Sequence, residues 1–287
     1  MLVVEQASFD QQMCVHLQSG GSVMELPLEE YLIGVVLCEM PPSFELEALK
    51  AQAIAARTFA LRQMDGGKHS GYDLCSLSSC CQAWSTKDDL IEKLGNSWER
   101  YWEKATLAVA ETESLVLFHE DMLIDAVYFS CSGGQTEDAV AVWGSEVPYL
   151  QSVKSPGEEM AGKFHSEKVV SVEEFCRVIS DHMPLVDLKG SPDHWFGEVA
   201  YTNGGGVKEM IIGGYAFSGT QLRQMFGLNS TNFSVETSED EILFSVYGYG
   251  HRVGMSQYGA NAMAAEGYSC DEILRHYYQN VRVKKWK

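Results

Sequence analysis

The sequence predicts an α+β protein in which a helical segment with a candidate catalytic residue packs on a mixed or antiparallel sheet. Three observations lead to this class. Two helical stretches fill Leu28 to Arg62, hairpin signals follow in the middle of the chain, and a glycine-rich segment from Tyr247 to Ala260 has the composition of a cleft wall. Because the candidate motifs are spread along the chain, we expect residues 1–287 to form a single functional region, which two interlocked subdomains could share.

Composition limits the classes of function. Of the 287 residues, 45% are hydrophobic and 11% aromatic, which is enough for a large core. The formal net charge is −19, with 21 basic against 40 acidic residues, and this balance excludes the basic footprint that nucleic acid requires. No stretch reaches the ~18 consecutive apolar residues of a membrane span, and the N-terminus does not have the pattern of a signal peptide. We therefore expect either a cytosolic protein or one whose leader lies outside this sequence.

Residues 1–27 predict a hairpin that leads into a first helix, which begins near Leu28 and ends just after Glu39, before Pro41 and Pro42. Apolar residues surround this helix on nearly all sides, so we predict that it is buried. Glu39 falls in the apolar stripe on the last turn. Desolvation and the negative end of the helix dipole raise the pKa of a carboxyl group, which makes Glu39 a candidate general acid. The alternative is a structural glutamate satisfied by an arginine or by backbone N–H groups.

A second helix is predicted to begin with Ser43 as its N-cap residue and to run to Arg62. Lys50 and Arg57 interrupt its apolar face. Buried cations need partners, so these side chains either pair with internal carboxylates or face a cleft that holds an anionic ligand. A direct pair between Lys50 and Glu39 would lower the pKa of Glu39 and weaken it as an acid.

A candidate metal loop follows the second helix. It contains His69, Cys75, Cys80 and Cys81 within thirteen residues. One imidazole and three thiolates suit tetrahedral zinc, although their spacing differs from the common paired pattern of two cysteines separated by two residues. Four protein ligands leave no open position, so a zinc ion here is predicted to be structural. Free buried thiols or a disulfide are the alternatives.

Helix and strand signals alternate in the next part of the chain. Asn96 to Ala110 predicts a third helix, and two strands are expected on either side of a turn at His119 to Asp121. An acidic, mobile connection is expected to begin at Glu158. The remaining signals predict a helix near Val172 to Ile179, a hairpin from Glu198 to Ile212, and a short helix from Ser218 to Gly227.

Two glycine-containing segments hold the candidate substrate-binding residues. The first is a strand that runs into a Ser-Gly-Gly turn, whose N–H groups allow a ligand to approach the backbone, although a plain turn has the same composition. The second combines many glycines with one histidine, and it is either a cleft wall for a polar ligand or a bend with a satisfied histidine. The candidates from these two segments are Tyr128, Ser130, Ser132, His251, Ser256, Gln257 and Tyr258.

Four ordered motifs carry a resemblance to a known family. They are EYLIGVVLCEMPPSFELEALKAQAIAARTFAL, YFSCSGGQTEDAVAVWG followed closely by PYL, FSGTQLRQMFGL and GHRVGMSQYGANAMAAEGYSCDEILRHYY. From about Leu26 to Tyr278 the chain resembles the stage II sporulation protein D family. The resemblance implies a lytic transglycosylase that cuts peptidoglycan glycan strands during forespore engulfment. In that family the glutamate of the E-M-P motif is the catalytic acid and base, and Glu39 occupies this position.

The implied reaction cleaves the bond between N-acetylmuramic acid and N-acetylglucosamine without water. Glu39 protonates the leaving oxygen and then accepts the proton of the muramyl C6 hydroxyl, which leaves a 1,6-anhydro end. Lys50 and Arg57 are predicted to orient the site or to bind the lactyl carboxylate. Clostridial members carry a similar zinc-like cluster with histidine at the position of Cys80, whereas other members lack it. Arg252 stands where the family usually has glycine.

The resemblance also implies partners and a location. The partners would be peptidoglycan glycan strands, a sporulation amidase that first strips the stem peptides, and a membrane scaffold of the engulfment machinery. Family members usually carry an N-terminal membrane anchor that faces the outer side of the membrane. We therefore expect the full-length protein to be extracytoplasmic and membrane-anchored, with the anchor outside this sequence.

Four other functions compete with this one. A non-catalytic peptidoglycan-binding or autolysin-modifying protein would keep the cleft without needing a raised pKa at Glu39. An ordinary glycosidase needs a second carboxylate, for which Glu137 is the motif candidate. A zinc hydrolase is disfavoured because the sequence has no helical pair of metal ligands and the one cluster fills four positions. A thiol enzyme built on Cys38 lacks a motif partner.

Overall fold

The computed structural model describes residues 13–286, and it confirms the predicted α+β class. The chain divides into two compact units. Unit 1 takes the chain up to Asp125 together with the segment that starts at Val283, and unit 2 takes Ala126–Arg282. No helix within residues 13–286 is both long and apolar enough to cross a membrane. Residues 1–12, which belong to the segment predicted to lead into the first helix, lie outside the described part.

Unit 1 combines a hairpin, a group of helices and a short sheet. Its elements are β1 (Cys14–Ser19), β2 (Ser22–Pro27), α1 (Leu28–Glu39), α2 (Leu46–Met64), β3 (Leu74–Cys75), α3 (Lys87–Leu94), α4 (Trp98–Ala110), β4 (Leu115–His119) and β5 (Met122–Leu123). The antiparallel β1–β2 pair confirms the predicted hairpin for the described residues, and β3 joins β1 in parallel. Gly20 and Gly21 form the hairpin turn with positive φ angles, which glycine adopts without a steric penalty.

The first helix forms as predicted. α1 ends at Glu39, since the prolines that follow cannot continue a helix, and it packs on α2 and α4. The predicted N-cap of the second helix is wrong, because α2 has Glu45 rather than Ser43 at this position. The Phe44 N–H donates to the Pro41 carbonyl at 3.0 Å, so Ser43 lies inside a turn that precedes the helix.

Unit 2 contains most of the strands. Its elements are β6 (Tyr128–Phe129), α5 (Ala139–Trp143), β7 (His165–Ser171), α6 (Val172–His182), β8 (Phe196–Tyr201), β9 (Val207–Ile212), β10 (Tyr215–Ser218), α7 (Gly219–Phe226), β11 (Asn232–Thr237), β12 (Glu241–Tyr247), β13 (Met255–Ser256), α8 (Gln257–Ala265) and α9 (Cys270–Tyr277). The last strand, β14 (Val281–Lys285), ends in unit 1 and forms a sheet with β4 and β5.

Two antiparallel sheets and two helices build the core of unit 2. The sheets have the strand orders β10-β9-β8 and β11-β12-β7, and α6 and α7 contribute apolar side chains to the same cluster. Phe175 of α6 lies at its centre, with ring-centroid distances of 6.0 Å to Trp195, 5.2 Å to Phe226 and 6.5 Å to Phe244. Burial of each such ring stabilises the fold by about 1.5–3 kcal/mol, so this aromatic cluster is a major source of the stability of unit 2.

Local signals set the ends of several elements in unit 2. The predicted hairpin is confirmed by the antiparallel β8–β9 pair. α7 is also confirmed: the side chains of Ser218 and Gln221 accept each other's backbone N–H groups, and Gly227 ends the helix in the left-handed conformation. α6 begins at the predicted residue, Val172, because Ser171 caps it. These boundaries follow from residues within one or two turns of the helix ends.

Two very short strands bring the glycine-containing segments of unit 2 together. β6 and β13 pair in parallel, which places Phe129 opposite Ser256. Just beyond this pair, Cys131 and Tyr249 exchange two backbone hydrogen bonds of 3.2 and 2.7 Å. The motif around residue 130 and the motif around residue 256 are therefore neighbours in space, as the cleft-wall interpretation requires.

Candidate functional site

Glu39, the last residue of α1, has a half-buried side chain. Its Oε1 atom accepts the backbone N–H of Ala83 at 2.6 Å. Burial raises the pKa of the neighbouring Cys38 thiol, so this thiol stays protonated near neutral pH and is a weak nucleophile. The end of α1 therefore favours carboxylate chemistry over thiol chemistry.

The segment after the cysteine pair packs against α1, with contacts at Tyr31, Gly34 and Glu39. Gln82 is buried, and its Oε1 atom accepts the hydroxyl of Tyr31 at 2.9 Å. Trp84 packs over Gly34, where a Cβ atom would overlap the indole ring. These two contacts fix the residues on both sides of Ala83, and they hold its N–H group in place for the carboxylate at the helix end.

The four candidate metal ligands come together in one loop of unit 1. The ligand atoms of His69, Cys75, Cys80 and Cys81 all lie within 4.8 Å of one another. β3 holds Cys75 beside β1. The N–H groups of Cys80 and Cys81 both donate to the Leu77 carbonyl, which closes a turn that returns the cysteine pair toward Cys75.

This donor set fits zinc. Sulfur and imidazole nitrogen are the ligands that zinc prefers, and separations below 4.8 Å are compatible with a tetrahedron built on Zn–S bonds of about 2.3 Å. Burial raises the pKa of the Cys81 thiol to about 12, so a bound metal would have to displace this proton. Four protein ligands would close the coordination sphere, which suits a structural ion.

Arg57 has internal partners, and its predicted contact with substrate is wrong. Its side chain is 1% exposed, and its Nε and Nη2 atoms donate to the two carboxylate oxygens of Glu29 at 2.9 and 2.5 Å. The backbone carbonyls of Val109 and Leu115 accept two further N–H groups. The guanidinium group therefore ties α2 to the N-terminal turn of α1 and to the end of α4, and it is shielded from any ligand.

Lys50 also pairs with internal carboxylates, which is the first of the two alternatives predicted for it. Its Nζ atom lies 2.7 Å from Glu47 and 2.5 Å from Glu111. These carboxylates, rather than Glu39, are the ion-pair partners that the structure gives it. The charge of Lys50 is thus neutralised within unit 1, which removes the reason for expecting it to bind an anionic substrate.

The Ser-Gly-Gly turn of unit 2 binds an internal carboxylate. Glu158, which is 0% exposed, accepts the N–H groups of Ser132 and Gly133 at 2.8 and 2.9 Å and the Ser132 hydroxyl at 2.8 Å, all at Oε2. Its Oε1 atom accepts the hydroxyls of Ser155 and Ser256. The N–H groups that we expected to meet a ligand are thus occupied by the protein itself.

Three predictions on this region are corrected. Ser132 and Ser256 are fully buried and hold Glu158, so their predicted contact with substrate is wrong. The connection predicted to be mobile instead begins with a buried anchor. Apart from Ser155, three residues before it, the partners of Glu158 are distant in sequence, with Ser132 at 26 and Ser256 at 98 residues. Sequence reasoning therefore missed Glu158, since the Pro156-Gly157 turn that precedes it is only a weak local signal.

Glu137 is sealed in a second buried network, so it is wrong as the second carboxylate of an ordinary glycosidase. Its Oε1 atom lies 3.1 Å from Arg252 and accepts the Thr202 hydroxyl at 2.7 Å and the Gly206 N–H at 3.0 Å. Both charged side chains are at most 1% exposed. Arg252 has a φ of +66°, a left-handed conformation that glycine adopts without a steric penalty. For an arginine this conformation costs about 1–2 kcal/mol.

His251 is neutral at physiological pH. Burial, reinforced by the positive charge of Arg223, lowers the pKa of His251 to about 4. Its Nδ1 atom accepts the Val253 N–H at 3.1 Å, and its ring lies 5.6 Å from the ring of Phe129 and 5.4 Å from that of Trp143. The imidazole can therefore act as a hydrogen-bonding contact but not as a charged acid, and its contact with substrate stays a prediction.

Ser130 and Tyr258 line one cavity of about 260 Å³ in unit 2. The other lining residues are Gly162, Lys163 and Tyr249. The backbone N–H of Tyr258 donates to the Ser130 carbonyl at 3.0 Å, which fixes the two residues relative to each other. Sequence reasoning missed Lys163, which lies between recognisable motifs, and it read Tyr249 only as part of a glycine-rich run.

The two other predicted substrate-binding residues occupy less open positions. Tyr128 is half-buried in β6, and Gln257 is buried at the first position of α8. The structure thus places Tyr128, Ser130, Gln257 and Tyr258 around the β6–β13 pair. Their contact with substrate stays a prediction.

Comparisons with known proteins extend these observations. A family described as "Stage II sporulation protein" matches residues 18–119. Stage II sporulation protein D of Bacillus subtilis is 40% identical over 275 residues, which cover 94% of this chain and 78% of that protein. The protein of the same name from Bacillus amyloliquefaciens is 39% identical over 274 residues, with the same coverage. A Bacillus subtilis protein named "Amidase enhancer" is 30% identical over 307 residues, which cover 89% of this chain and 40% of that protein.

The fold and the site define a two-unit α+β protein with a part-exposed carboxylate at the end of a buried helix. The similarity to the Bacillus proteins extends through both units. The chain belongs to the stage II sporulation protein D family. Membership of this family supports a role in sporulation.

Proposed function

We propose that this protein is a peptidoglycan lytic transglycosylase that acts in forespore engulfment. The observation that supports this most is the contrast between the motif carboxylates: Glu39 is part-exposed at the end of α1, whereas Glu137 is sealed in an ion pair. A hydrolytic glycosidase needs two carboxylates beside the scissile bond. A lytic transglycosylase needs only one, because its nucleophile belongs to the substrate.

In the proposed mechanism Glu39 acts first as an acid and then as a base. The protonated carboxyl group donates its proton to the glycosidic oxygen between N-acetylmuramic acid and N-acetylglucosamine, and the bond from that oxygen to muramyl C1 breaks. The C6 hydroxyl of the same muramyl residue then attacks C1, and its proton passes to the Glu39 carboxylate. The products are a 1,6-anhydromuramyl end and a free N-acetylglucosamine hydroxyl, and Glu39 is protonated again. The Ala83 N–H would orient the carboxylate through both steps.

A structural zinc ion is part of the proposal. His69, Cys75, Cys80 and Cys81 would hold it, and the ion would supply cross-linking rather than chemistry. Cys81 lies two residues before Ala83, whose N–H binds Glu39. An ion bound in this loop would therefore hold the segment from Cys81 to Trp84 at its first residue, while the packing of Trp84 on Gly34 holds its last residue. This segment would position the proposed catalytic carboxylate.

The partners and location follow from the family and are likewise proposals. The substrate would be glycan strands, and the partners would be an amidase that strips stem peptides and a membrane scaffold of the engulfment machinery. The similarity to a protein named "Amidase enhancer" supports a link to an amidase and the cell wall. We propose that the full-length protein is extracytoplasmic and membrane-anchored.

The central test is digestion of peptide-stripped glycan strands by the wild type and by Glu39→Gln, with mass spectrometry of the products. We expect anhydromuramyl ends from the wild type and a rate about 10²- to 10⁴-fold lower from the variant, because an amide cannot exchange the proton. Glu30→Gln is the matched control, since Glu30 lies exposed on the same helix and should keep full activity.

Other outcomes would support different functions. Ordinary reducing ends from the wild type would indicate a hydrolase that uses a second carboxylate. If neither protein cleaves the strands but both bind them, the protein is a non-catalytic peptidoglycan-binding or autolysin-modifying module. Full activity of Glu39→Gln would remove Glu39 from the mechanism.

The zinc proposal has its own test, which is metal analysis of the purified protein. We expect about one zinc ion per chain in the wild type and in Cys80→His, because imidazole is also a zinc ligand. Cys81→Ser should lose the ion and part of the activity, whereas Cys176→Ser, a half-buried thiol of unit 2, should change neither. A metal-free wild type, or a Cys81→Ser variant that keeps its zinc, would contradict the assignment.

A further inference from the structure

The cavity around Tyr249 holds a cation that the fold leaves unpaired. Lys163 lies on the rim, with its Nζ atom 4.0 Å from the centroid of the Tyr249 ring. In the described part of the chain, Lys163 forms no ion pair with a carboxylate. Lys163 is exposed, whereas the more buried Lys50, Arg57 and Arg252 each have at least one carboxylate within 3.1 Å.

A second cation, Arg223, lies close enough to the same tyrosine to interact with it electrostatically. Arg223 of α7 donates from Nε to the Leu228 carbonyl at 3.3 Å, and no carboxylate among residues 13–286 forms a salt bridge with it. Burial lowers the pKa of Arg223, and the nearby Tyr249 hydroxyl opposes this effect. Arg223 also acts on His251. Lys163 and Arg223 thus place two positive charges near one exposed aromatic ring, in a chain with nearly twice as many acidic as basic residues. Local positive charge of this kind attracts anionic ligands.

We propose that Lys163, Tyr249, Ser130 and Tyr258 form a subsite for a sugar that carries a carboxylate, with Arg223 adding positive potential. Tyr249 is 38% exposed and offers a flat surface for a sugar ring, and Ser130 and Tyr258, which carry hydroxyl groups, line the same cavity. The Lys163 ammonium group supplies the charge-assisted hydrogen bond to the carboxylate.

This inference rests on the proposed function for the identity of the sugar, which would be a muramyl residue with a free lactyl carboxylate. That carboxyl group is an uncharged amide as long as a stem peptide is attached to it, and it becomes an anion only when the peptide is removed. The subsite would therefore distinguish peptide-stripped strands from peptide-bearing ones. The discrimination comes from unit 2 and is separate from the proton transfer assigned to Glu39.

The test measures equilibrium binding in the full chain with Glu39→Gln, so that cleavage cannot disturb the titration. The ligands are peptide-stripped glycan strands, strands that keep their stem peptides, and a chitooligosaccharide of equal length, which has no lactyl group. Lys163→Met keeps the apolar stem of the side chain and removes its charge, and Lys163→Arg restores the charge. Lys168→Met is the matched control, since Lys168 is an exposed lysine of β7 in the same unit.

We expect Lys163→Met to weaken binding of peptide-stripped strands about ten-fold and to change binding of the chitooligosaccharide less than about two-fold. Lys163→Arg should recover most of the loss, and Lys168→Met should bind like the parent. Higher salt should weaken only the charge-dependent part of the binding.

The outcomes separate this inference from the proposed function. If Lys163→Met binds stripped strands as well as the parent does, or loses affinity equally for the chitooligosaccharide, the carboxylate subsite is overturned even when the wild type cleaves strands. If the wild type makes no anhydromuramyl ends but the charge-dependent preference for stripped strands is present, the subsite stands and the catalytic proposal fails. A parent protein that does not bind any of the three ligands would overturn the subsite as well.

Discussion

Glu39 in unit 1 and Glu158 in unit 2 are both carboxylates that accept backbone N–H groups, but they differ in burial and in the number of their donors. Glu39 is half-buried and accepts a backbone N–H at one oxygen. Glu158 is fully buried, and the groups that donate to its two oxygens include three serine hydroxyls and the N–H groups of a turn. A carboxylate that is saturated with donors and shielded from water holds a loop in place, whereas one that keeps a solvent-facing side can exchange a proton with a ligand.

Glu137 extends the comparison, because its charge is balanced by an ion pair instead of by hydroxyl groups. It lies beside Arg252, whose guanidinium group also donates to the carbonyls of Ser132, Gln135 and Gly204. Arg252 thus connects the Ser-Gly-Gly turn that holds Glu158 to the loop between β8 and β9. Two of the three carboxylates compared here support the frame of unit 2, and the third, Glu39, is the one to which we assign the proposed chemistry.

The largest expected effect in this comparison is the loss of the Glu158 charge. Glu158→Gln removes a carboxylate that receives several charge-assisted hydrogen bonds, and it places an amide N–H₂ group among donors. We expect a loss of about 4 kcal/mol or more in the free energy of unfolding, measured by urea denaturation, or a protein that does not accumulate in soluble form. Glu159→Gln is the control, because Glu159 is the exposed neighbour and should stay within about 0.5 kcal/mol of the wild type. A stable Glu158→Gln protein would contradict the structural role.

A somewhat smaller effect is expected for the buried ion pair. Arg252→Met leaves the Glu137 charge buried without its cation and should destabilise the protein by about 3–5 kcal/mol. Glu137→Gln in the same chain removes the stranded charge and keeps an oxygen for the Thr202 hydroxyl. We therefore expect the double variant to be more stable than the sum of the two single losses by about 1–3 kcal/mol. Additive losses in urea denaturation would show that the two side chains do not interact.

Local signals explain which parts of the fold could be predicted. The prolines after Glu39 set the end of α1, the paired glycines set the first hairpin, and Ser218 and Gly227 frame α7. Each of these boundaries depends on residues that are close in sequence. The convergence of the metal-candidate loop was predictable for the same reason, since its four ligands lie within thirteen residues.

Apart from the N-cap of α2, the errors concern polar side chains with partners that are distant in sequence. Ser256 has the composition of a cleft residue, but its hydroxyl donates to a carboxylate 98 residues away. Arg57 interrupts an apolar helix face as a ligand-binding cation would, but its partner Glu29 lies 28 residues earlier. A buried charge must be paired, and its partner can come from any part of the chain. A pattern can therefore identify an unusual polar residue but not the group that satisfies it.

The smallest effect is expected for His251. Its side chain is neutral and partly buried, so it lies between part-exposed Glu39 and fully buried Glu158 in the comparison. Its pKa is about 4 in the folded protein and about 6.5 in the unfolded chain. The unfolded state therefore binds a proton first as pH falls, so the stabilisation is present above pH 6.5, decreases toward pH 4 and then levels off. Between pH 7 and pH 5 we expect His251 to account for a loss of about 2 kcal/mol in the free energy of unfolding.

The measurement compares urea denaturation of the wild type and of His251→Gln at pH 7 and pH 5. The variant should lose about 2 kcal/mol less between the two pH values, since glutamine does not titrate. His165→Gln is the control, because His165 is exposed and its ring only lies beside that of Tyr247, so the pH dependence of the wild type should be retained. Equal pH dependence in the wild type and in His251→Gln would mean that His251 is solvated and free to become charged.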